Sequence, residues 1–196
     1  MLPDRSEGWD EIADAFMAAR SDIGAELVRG WARMHFPGGA QIVDIGCGSG
    51  IPMSAALIAE GFQVSGIDAS PRLIAAFRVR FPQAAAVCEA AQESDFFGRT
   101  FDAAIAVGLL FLLAAEDQRE VIRRVATALK PGGRLLFSAP MEACEWDDLL
   151  TGRRSRSFGR AEYDRILDGA GLRFAGCCQD EGGNNYYDAV RPLDPA

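Results

Sequence analysis

The chain has 196 residues, 49% apolar and 24% charged, which suits one globular domain with a substantial core. Its formal net charge of −8, from 20 basic and 28 acidic residues, repels polyanions and argues against a nucleic-acid substrate. No run of about eighteen apolar residues is present to span a membrane. The first residues carry acids and Trp9 where a secretory leader needs a basic and then apolar stretch, so a cytoplasmic protein is expected.

Residues 9–34 read as helix, in two pieces with a break near Ser21-Asp22. Ile12, Ala15, Phe16 and Ala19 keep helical spacing, and so do Ile23, Leu27, Trp31 and Met34. Pro37-Gly38-Gly39 ends that region. Residues 41–45 form a short apolar strand, followed by the glycine turn Gly46-Cys47-Gly48-Ser49-Gly50. Pro52 suits the first turn of the next helix, and Gly61 closes it. Residues 64–68 are the second strand. Ser70-Pro71 then supplies an N-cap and a proline at the first helical position.

Residues 84–88 are a weakly marked third strand and 101–107 a fourth. A helix follows over about 116–129, with Val121, Ile122, Val125, Ala128 and Leu129 as its buried stripe. Pro131-Gly132-Gly133 terminates it, and 134–138 is the fifth strand. Residues 139–158 read as loop and 159–169 as helix. Two last strands, 172–179 and 186–191, flank the turn formers of Asp-Glu-Gly-Gly-Asn-Asn. About six residues join them, too few for a parallel crossover, so they pair as a hairpin. Strands alternating with helices imply a mainly parallel sheet with one antiparallel strand.

Five cysteines, at 47, 88, 144, 177 and 178, form no paired framework, and neither CxxC nor a second His accompanies His35. No metal site is expected. Cys177-Cys178 reads as one inward and one outward strand position.

In an open α/β sheet, ligands bind beyond the carboxyl ends of the strands. The glycine turn and Asp68 both fall there. A carboxylate in that place can accept two ribose hydroxyls, which suits NAD and S-adenosylmethionine equally. The dinucleotide fingerprint G-x-G-x-x-G/A fails, because Ile51 or Met53 stands at its third small position. There is no Gly-Lys-Ser/Thr for a phosphate loop. What remains is Asp44-x-Gly46-x-Gly48-x-Gly50. An NAD-dependent oxidoreductase is further disfavoured because the single lysine, Lys130, has Ala126 rather than Tyr four residues ahead.

With VDIGCGSG, VSGIDASP, VCEAA, FDAAIAVGLLFLL and LKPGGRLLFSAP in this order, the sequence resembles the class I S-adenosylmethionine-dependent methyltransferases. The resemblance implies a Rossmann-like doubly wound sheet with N-terminal helices capping the site. It implies one domain: a helical cap over 1–38, a cofactor-binding core over 40–140, and a substrate-side loop, helix and hairpin over 141–196. It also implies site roles. Gly46, Gly48 and Gly50 let the methionine part and ribose approach the backbone, with Cys47 as a small turn residue. Asp44 orients the cofactor's amino group, and Asp68 binds the ribose, with Ala69 and Ser70 beside the adenine. Glu89 and Ala90 meet the adenine edge, and Val107 presents backbone to the methionine end.

The chain departs from the family where members often carry His after the fourth strand; Phe111 and Leu112 lie there instead. It also lacks the Asn/Asp-Pro-Pro-aromatic motif of nucleic-acid amino methylases. The expected reaction is methyl transfer from S-adenosyl-L-methionine, leaving S-adenosyl-L-homocysteine, to an oxygen, nitrogen or other nucleophile of a small molecule. The alternatives are a non-catalytic S-adenosylmethionine-binding protein and a nucleic-acid or protein methyltransferase. The protein is expected as a monomer or homodimer.

Three segments reach the rim where the acceptor must sit: the N-terminal helices with Trp9, Phe16 and Arg20, the stretch 144–159, and the last hairpin turn. Trp146 and Tyr186 are candidate walls, Arg156 with Arg153 and Arg154 a candidate anion site, and Asn184 and Asn185 polar contacts. If a general base is needed, Asp147, Asp148 and Tyr163 are available, while His35 reads as structural.

Overall fold

The computed structural model describes residues 4–194. Two short helices come first, α1 (Ala13–Ala19) and α2 (Ala25–His35). Helix α1 starts later than the expected residue 9 because Asp4 ties residues 6–8 into turns, accepting from the Ser6 and Gly8 amides and the Ser6 hydroxyl. Strand β1 (Gln41–Ile45) leads through the glycine turn to α3 (Met53–Ala59), and β2 (Gln63–Asp68) to α4 (Pro71–Arg80). Strand β3 (Ala85–Cys88) and β4 (Phe101–Ala106) precede α5 (Ala115–Ala128). Strand β5 (Leu129–Ser138) includes Pro131-Gly132-Gly133, where a terminating turn is expected from sequence.

The stretch 139–158 is not an irregular loop. It holds a separate antiparallel hairpin, β6 (Ala143–Asp147) against β7 (Arg154–Phe158), with Trp146 opposite Ser155. Ion pairs across the strands join Arg154 to Glu145 and Asp147, at 3.1 and 3.2 Å. Helix α6 (Arg160–Gly169), β8 (Arg173–Gln179) and β9 (Asn185–Val190) complete the chain.

One seven-stranded sheet has the order β3-β2-β1-β4-β5-β9-β8. The pairs from β3 to β5 are parallel, and β9 runs antiparallel to both β5 and β8. The order reverses between β1 and β4, so the carboxyl ends of these two strands open a crevice. Helices cover both faces. One apolar cluster unites Val121, Ile122 and Val125 of α5 with Val43, Ile45 and Phe137, and another joins Val28 and Trp31 of α2 to Ile42, Leu57 and Leu136. Burial on both faces explains why β1 and β4 read as nearly unbroken apolar runs rather than alternating ones.

Helix α4 begins as its sequence demands: the Ser70 hydroxyl accepts the Leu73 amide at 3.2 Å, and Pro71 follows. A long-range clamp reinforces this start. Asp10 accepts the Ser70 hydroxyl at 2.6 Å and the Arg72 amide at 2.9 Å, so the N-terminal segment is stapled to α4. That staple carries residues 5–20 across the crevice.

Candidate functional site

The glycine turn faces inward for its hydrogen bonding. The Gly46 and Cys47 amides both donate to the Ile67 carbonyl, at 2.8 and 3.0 Å, and the Gly50 amide donates to Cys47. The Gly48 amide donates to an Asp68 carboxylate oxygen at 2.9 Å, and the Ser70 amide to the other at 2.8 Å. Few amides are left to aim at a pyrophosphate, which agrees with the failed dinucleotide spacing. Gly46 has φ +70° and Gly50 φ +83°, the left-handed region that excludes most side chains. A Cβ on Gly50 would also lie 2.5 Å from Phe81.

Two cavities open at the crevice. The first is lined by Asp44, Gly46, Cys47, Asp68, Ala69, Glu89, Ala90 and Val107, and roofed by Trp9, Phe16 and Arg20. Asp44 is buried, and one of its oxygens accepts the Ser54 hydroxyl at 2.6 Å. Its other oxygen makes no hydrogen bond among the described residues. Burial, helped by the nearby Asp68, raises its pKa to about 6, against the pull of the Ser54 hydrogen bond and Arg20. Burial also raises the Asp68 pKa, against its two amide hydrogen bonds. The Cys47 thiol is pushed well up by burial and by both acids, so it stays protonated. Two carboxylates facing one cleft attract a ligand that brings positive charge and hydroxyl donors.

The second cavity lies on the other side of Val107 and Gly108, with a volume of about 450 Å³. It is lined by Ile23, Phe111, Trp146 and Tyr186, with Arg20, Ser21, Ser138, Asn184 and Asn185 among its polar groups. Phe111 and Trp146 lean on each other with ring centroids 5.4 Å apart. Arg20, Met53, Val107 and Gly108 line both cavities and form their common wall.

The structure redistributes several sequence-designated residues. Trp9 and Phe16, expected on the acceptor side, pack edge-to-face at 5.2 Å and roof the first cavity. Phe16 covers Gly48, whose Cβ position is 3.2 Å from the ring. Gly50 faces Phe77 of α4 and Phe81 just after it rather than the cleft, and Ser70 spends its hydroxyl on the helix cap and Asp10. Arg153, Arg154 and Arg156, a candidate anion site in the sequence, each have an acidic partner, Glu7 for the first and Glu145 for the other two, and none lines either cavity.

The candidate bases also lie elsewhere. Asp147 pairs with Arg154, and Asp148 organises the hairpin turn by accepting the Leu150 and Thr151 amides. Tyr163 is enclosed by Phe137, Phe158 and Tyr187, and burial raises its phenol to about 12. His35 sits beside Asp188 and Arg134, away from the crevice. Met53 lies outside the quoted motifs, and Ser138 and Pro140 lie within LKPGGRLLFSAP without a role assigned from sequence; their positions after the glycine turn and at the end of β5 make them cavity walls.

Comparison with known proteins follows this geometry. Residues 42–133 match the family model described as a methyltransferase domain. A ubiquinone biosynthesis O-methyltransferase from Stutzerimonas stutzeri is 33% identical over 118 residues, covering 55% of this chain and 48% of that protein. The chain thus spans about half the length of the curated relatives it matches. The 1,6-didemethyltoxoflavin-N1-methyltransferase of Burkholderia thailandensis, solved with 1,6-didemethyltoxoflavin and S-adenosylhomocysteine, superposes with a TM-score of 0.78 at 19% identity, over 96% of this chain and 87% of that one. A magnesium protoporphyrin IX methyltransferase from Synechocystis PCC 6803, with S-adenosylmethionine bound, gives 0.74 at 18% identity, over 97% and 98%. At such identities these structures share the fold.

Proposed function

We propose, from the premise that the chain belongs to the class I S-adenosylmethionine-dependent methyltransferase family through residues 42–133, that it methylates a small organic molecule. The observation that carries this reading is the pair of cavities sharing Arg20, Met53, Val107 and Gly108 as a wall. A group-transfer enzyme needs donor and acceptor rooms that meet, and here they meet at the carboxyl end of β4.

The first cavity fits S-adenosylmethionine by its donor set. The free oxygen of Asp44 suits an ammonium, and Asp68 keeps acceptor capacity for ribose hydroxyls beyond its two amide bonds. Gly46, Cys47, Ala69, Glu89, Ala90 and Val107 supply the remaining walls. Gly48, under Phe16, acts through its amide on Asp68. When bound, the cofactor supplies an already activated methyl group. The chain's own task is then alignment and exclusion of water. Trp9 and Phe16 close the roof, and the Val107-Gly108 backbone sets the boundary across which the acceptor faces the donor.

The second cavity supports an acceptor of small-molecule size with an apolar or aromatic body, held between Phe111, Trp146 and Tyr186. The net charge of −8 and the pairing of the hairpin arginines disfavour a nucleic acid. Calorimetry with S-adenosylmethionine, S-adenosylhomocysteine and NAD tests the reading. Micromolar binding of the first two, abolished by Asp68→Ala, is expected. Tight binding of NAD, with none of the two sulfur ligands, would overturn it.

A further inference from the structure

The second cavity holds a buried hydroxyl with its hydrogen-bonding capacity half used. Ser138, at the end of β5, is 5% exposed and lines the room. Its oxygen accepts the Gly108 amide at 2.8 Å, which sets it against the common wall. Its proton has no acceptor among the described residues. The room's other buried hydroxyl, on Tyr186, donates to Asp180 at 3.1 Å. Asp180 also takes the Gly182 and Asn184 amides and the Asn184 side-chain nitrogen, so that nitrogen is spent. A hydroxyl kept from water is costly until its proton is accepted, and one that already accepts an amide donates more strongly.

The same room offers little to an ion. Its described lining holds no Asp, Glu, His, Cys or Lys, and its one formal charge is Arg20. That guanidinium also lines the first cavity and feels Asp44, so the carboxylate of a bound cofactor claims it. Burial, first, and then Asp180 raise the Tyr186 pKa, so its phenol stays neutral. An anion entering here leaves water without a cation of its own to meet, and an ammonium finds no carboxylate on the lining. An uncharged molecule loses least on entry. Phe111 and Trp146, with centroids 5.4 Å apart, give a planar ring an aromatic wall.

Resting on the methyltransferase reading above, we propose that the acceptor is an uncharged planar aromatic compound, and that the Ser138 hydroxyl donates to a lone pair on it, a ring nitrogen or a carbonyl oxygen, at the common wall. Ser138 is then the specificity-determining residue of the room. The amide that fixes it belongs to Gly108, part of the partition that separates donor from acceptor. A ring seated on Ser138 therefore stands in a set place relative to the donor room. A ring of the same shape without the lone pair is rejected, because it leaves the buried hydroxyl unpaired.

Protein saturated with S-adenosylhomocysteine provides the test, by equilibrium binding of two-ring probes. Quinoline and isoquinoline carry the lone pair at different positions, and naphthalene has their shape without it. Naphthoate and naphthylmethylamine are the charged counterparts, at a pH where the two bases are neutral and the amine is protonated. The better-placed base is expected to bind about tenfold more tightly than naphthalene, as one buried hydrogen bond allows, and more tightly than either ion. Ser138→Ala should bring that ratio to within about twofold of unity. Ser138→Cys, whose sulfur still meets the Gly108 amide but whose thiol donates poorly, should lose most of it too, and Ser138→Thr should keep it. Each variant is read by its own ratio of base to naphthalene, so damage to packing that weakens both probes alike does not move it. A base bound no better than naphthalene, a preference for either ion, or no binding of any ring overturns the inference and leaves the methyltransferase reading standing. A ratio that survives both Ser138→Ala and Ser138→Cys overturns it as well. Failure of S-adenosylhomocysteine itself to bind the parent protein sinks the underlying reading instead.

Discussion

The two cavities share a wall but are made by different means. The first is floored by backbone, under its roof of Trp9 and Phe16: a tight turn between β1 and α3, amides that lock Asp68, and Val107 just past the end of β4. The second is made by side chains drawn from distant parts of the chain, from Ile23 through Trp146 to Tyr186, held by packing and a few polar ties. Backbone rooms tolerate little change and fix one ligand. Rooms walled by interchangeable side chains can be refitted for a new acceptor without disturbing the donor, and this explains how one scaffold serves many methyl acceptors.

Substitutions should separate the two rooms. The largest effect is expected from Asp68→Ala, which removes the acceptor of two amides as well as the ribose contact. S-adenosylhomocysteine binding should fall at least about a hundredfold by calorimetry, since each hydrogen bond to a charged group is worth about 1.5–3 kcal/mol. Asp44 gives a pH signature confined to the first room. Its pKa is raised to about 6 from an ordinary 3.8, so the fold favours its protonated form. That stabilising contribution is complete below pH 3.8 and is lost as pH rises through 6. The ligand-free protein should therefore carry a penalty of about 3 kcal/mol above that range. Thermal melts of Asp44→Asn should exceed the parent at pH 8 and lose the advantage toward pH 4; an advantage independent of pH would contradict the assignment.

Smaller effects belong to the second room. Trp146→Ala should raise the acceptor KM by about tenfold, as loss of an aromatic wall would. The S-adenosylhomocysteine affinity should stay as it was; a matching loss there would show that the rooms are not separable. Arg154→Ala should change neither KM nor Tm, because its partners Glu145 and Asp147 are exposed and solvent screens the pairs. A clear rise in KM would restore the hairpin arginines as an anion site.

The same division decides what could be read from sequence. The succession of strands and helices along the chain, the glycine turn and the cap at Ser70 follow from local rules: glycine at positive φ, a hydroxyl three residues before an amide, buried strands as apolar runs. The hairpin of β6 and β7 escaped those rules because β6 alternates between exposed and partly buried residues while β7 buries two serines, Ser155 and Ser157, rather than apolar side chains, and its pairs, such as Glu145 with Arg154, are seen only once the strands are aligned. Asp148 followed by Thr151-Gly152 was the one local sign of its turn. Trp9 and Phe16 were placed near the crevice by chain order, but the roofing role depends on the Asp10 staple, a contact across sixty positions that no periodicity records. Arg20 was placed at the rim by chain order; its bond to the Ile51 carbonyl and its place over the Phe16 ring are visible only in three dimensions.

The common wall also has a thermodynamic consequence. Four residues touch whatever fills either room, so the two ligands belong to one cycle of states. Whatever factor an occupied donor room lends to acceptor affinity through Arg20, Met53, Val107 and Gly108, an occupied acceptor room must return to the donor in full. A ligand of the second room that raises affinity in the first is itself bound more tightly, by the same factor, when the first is filled.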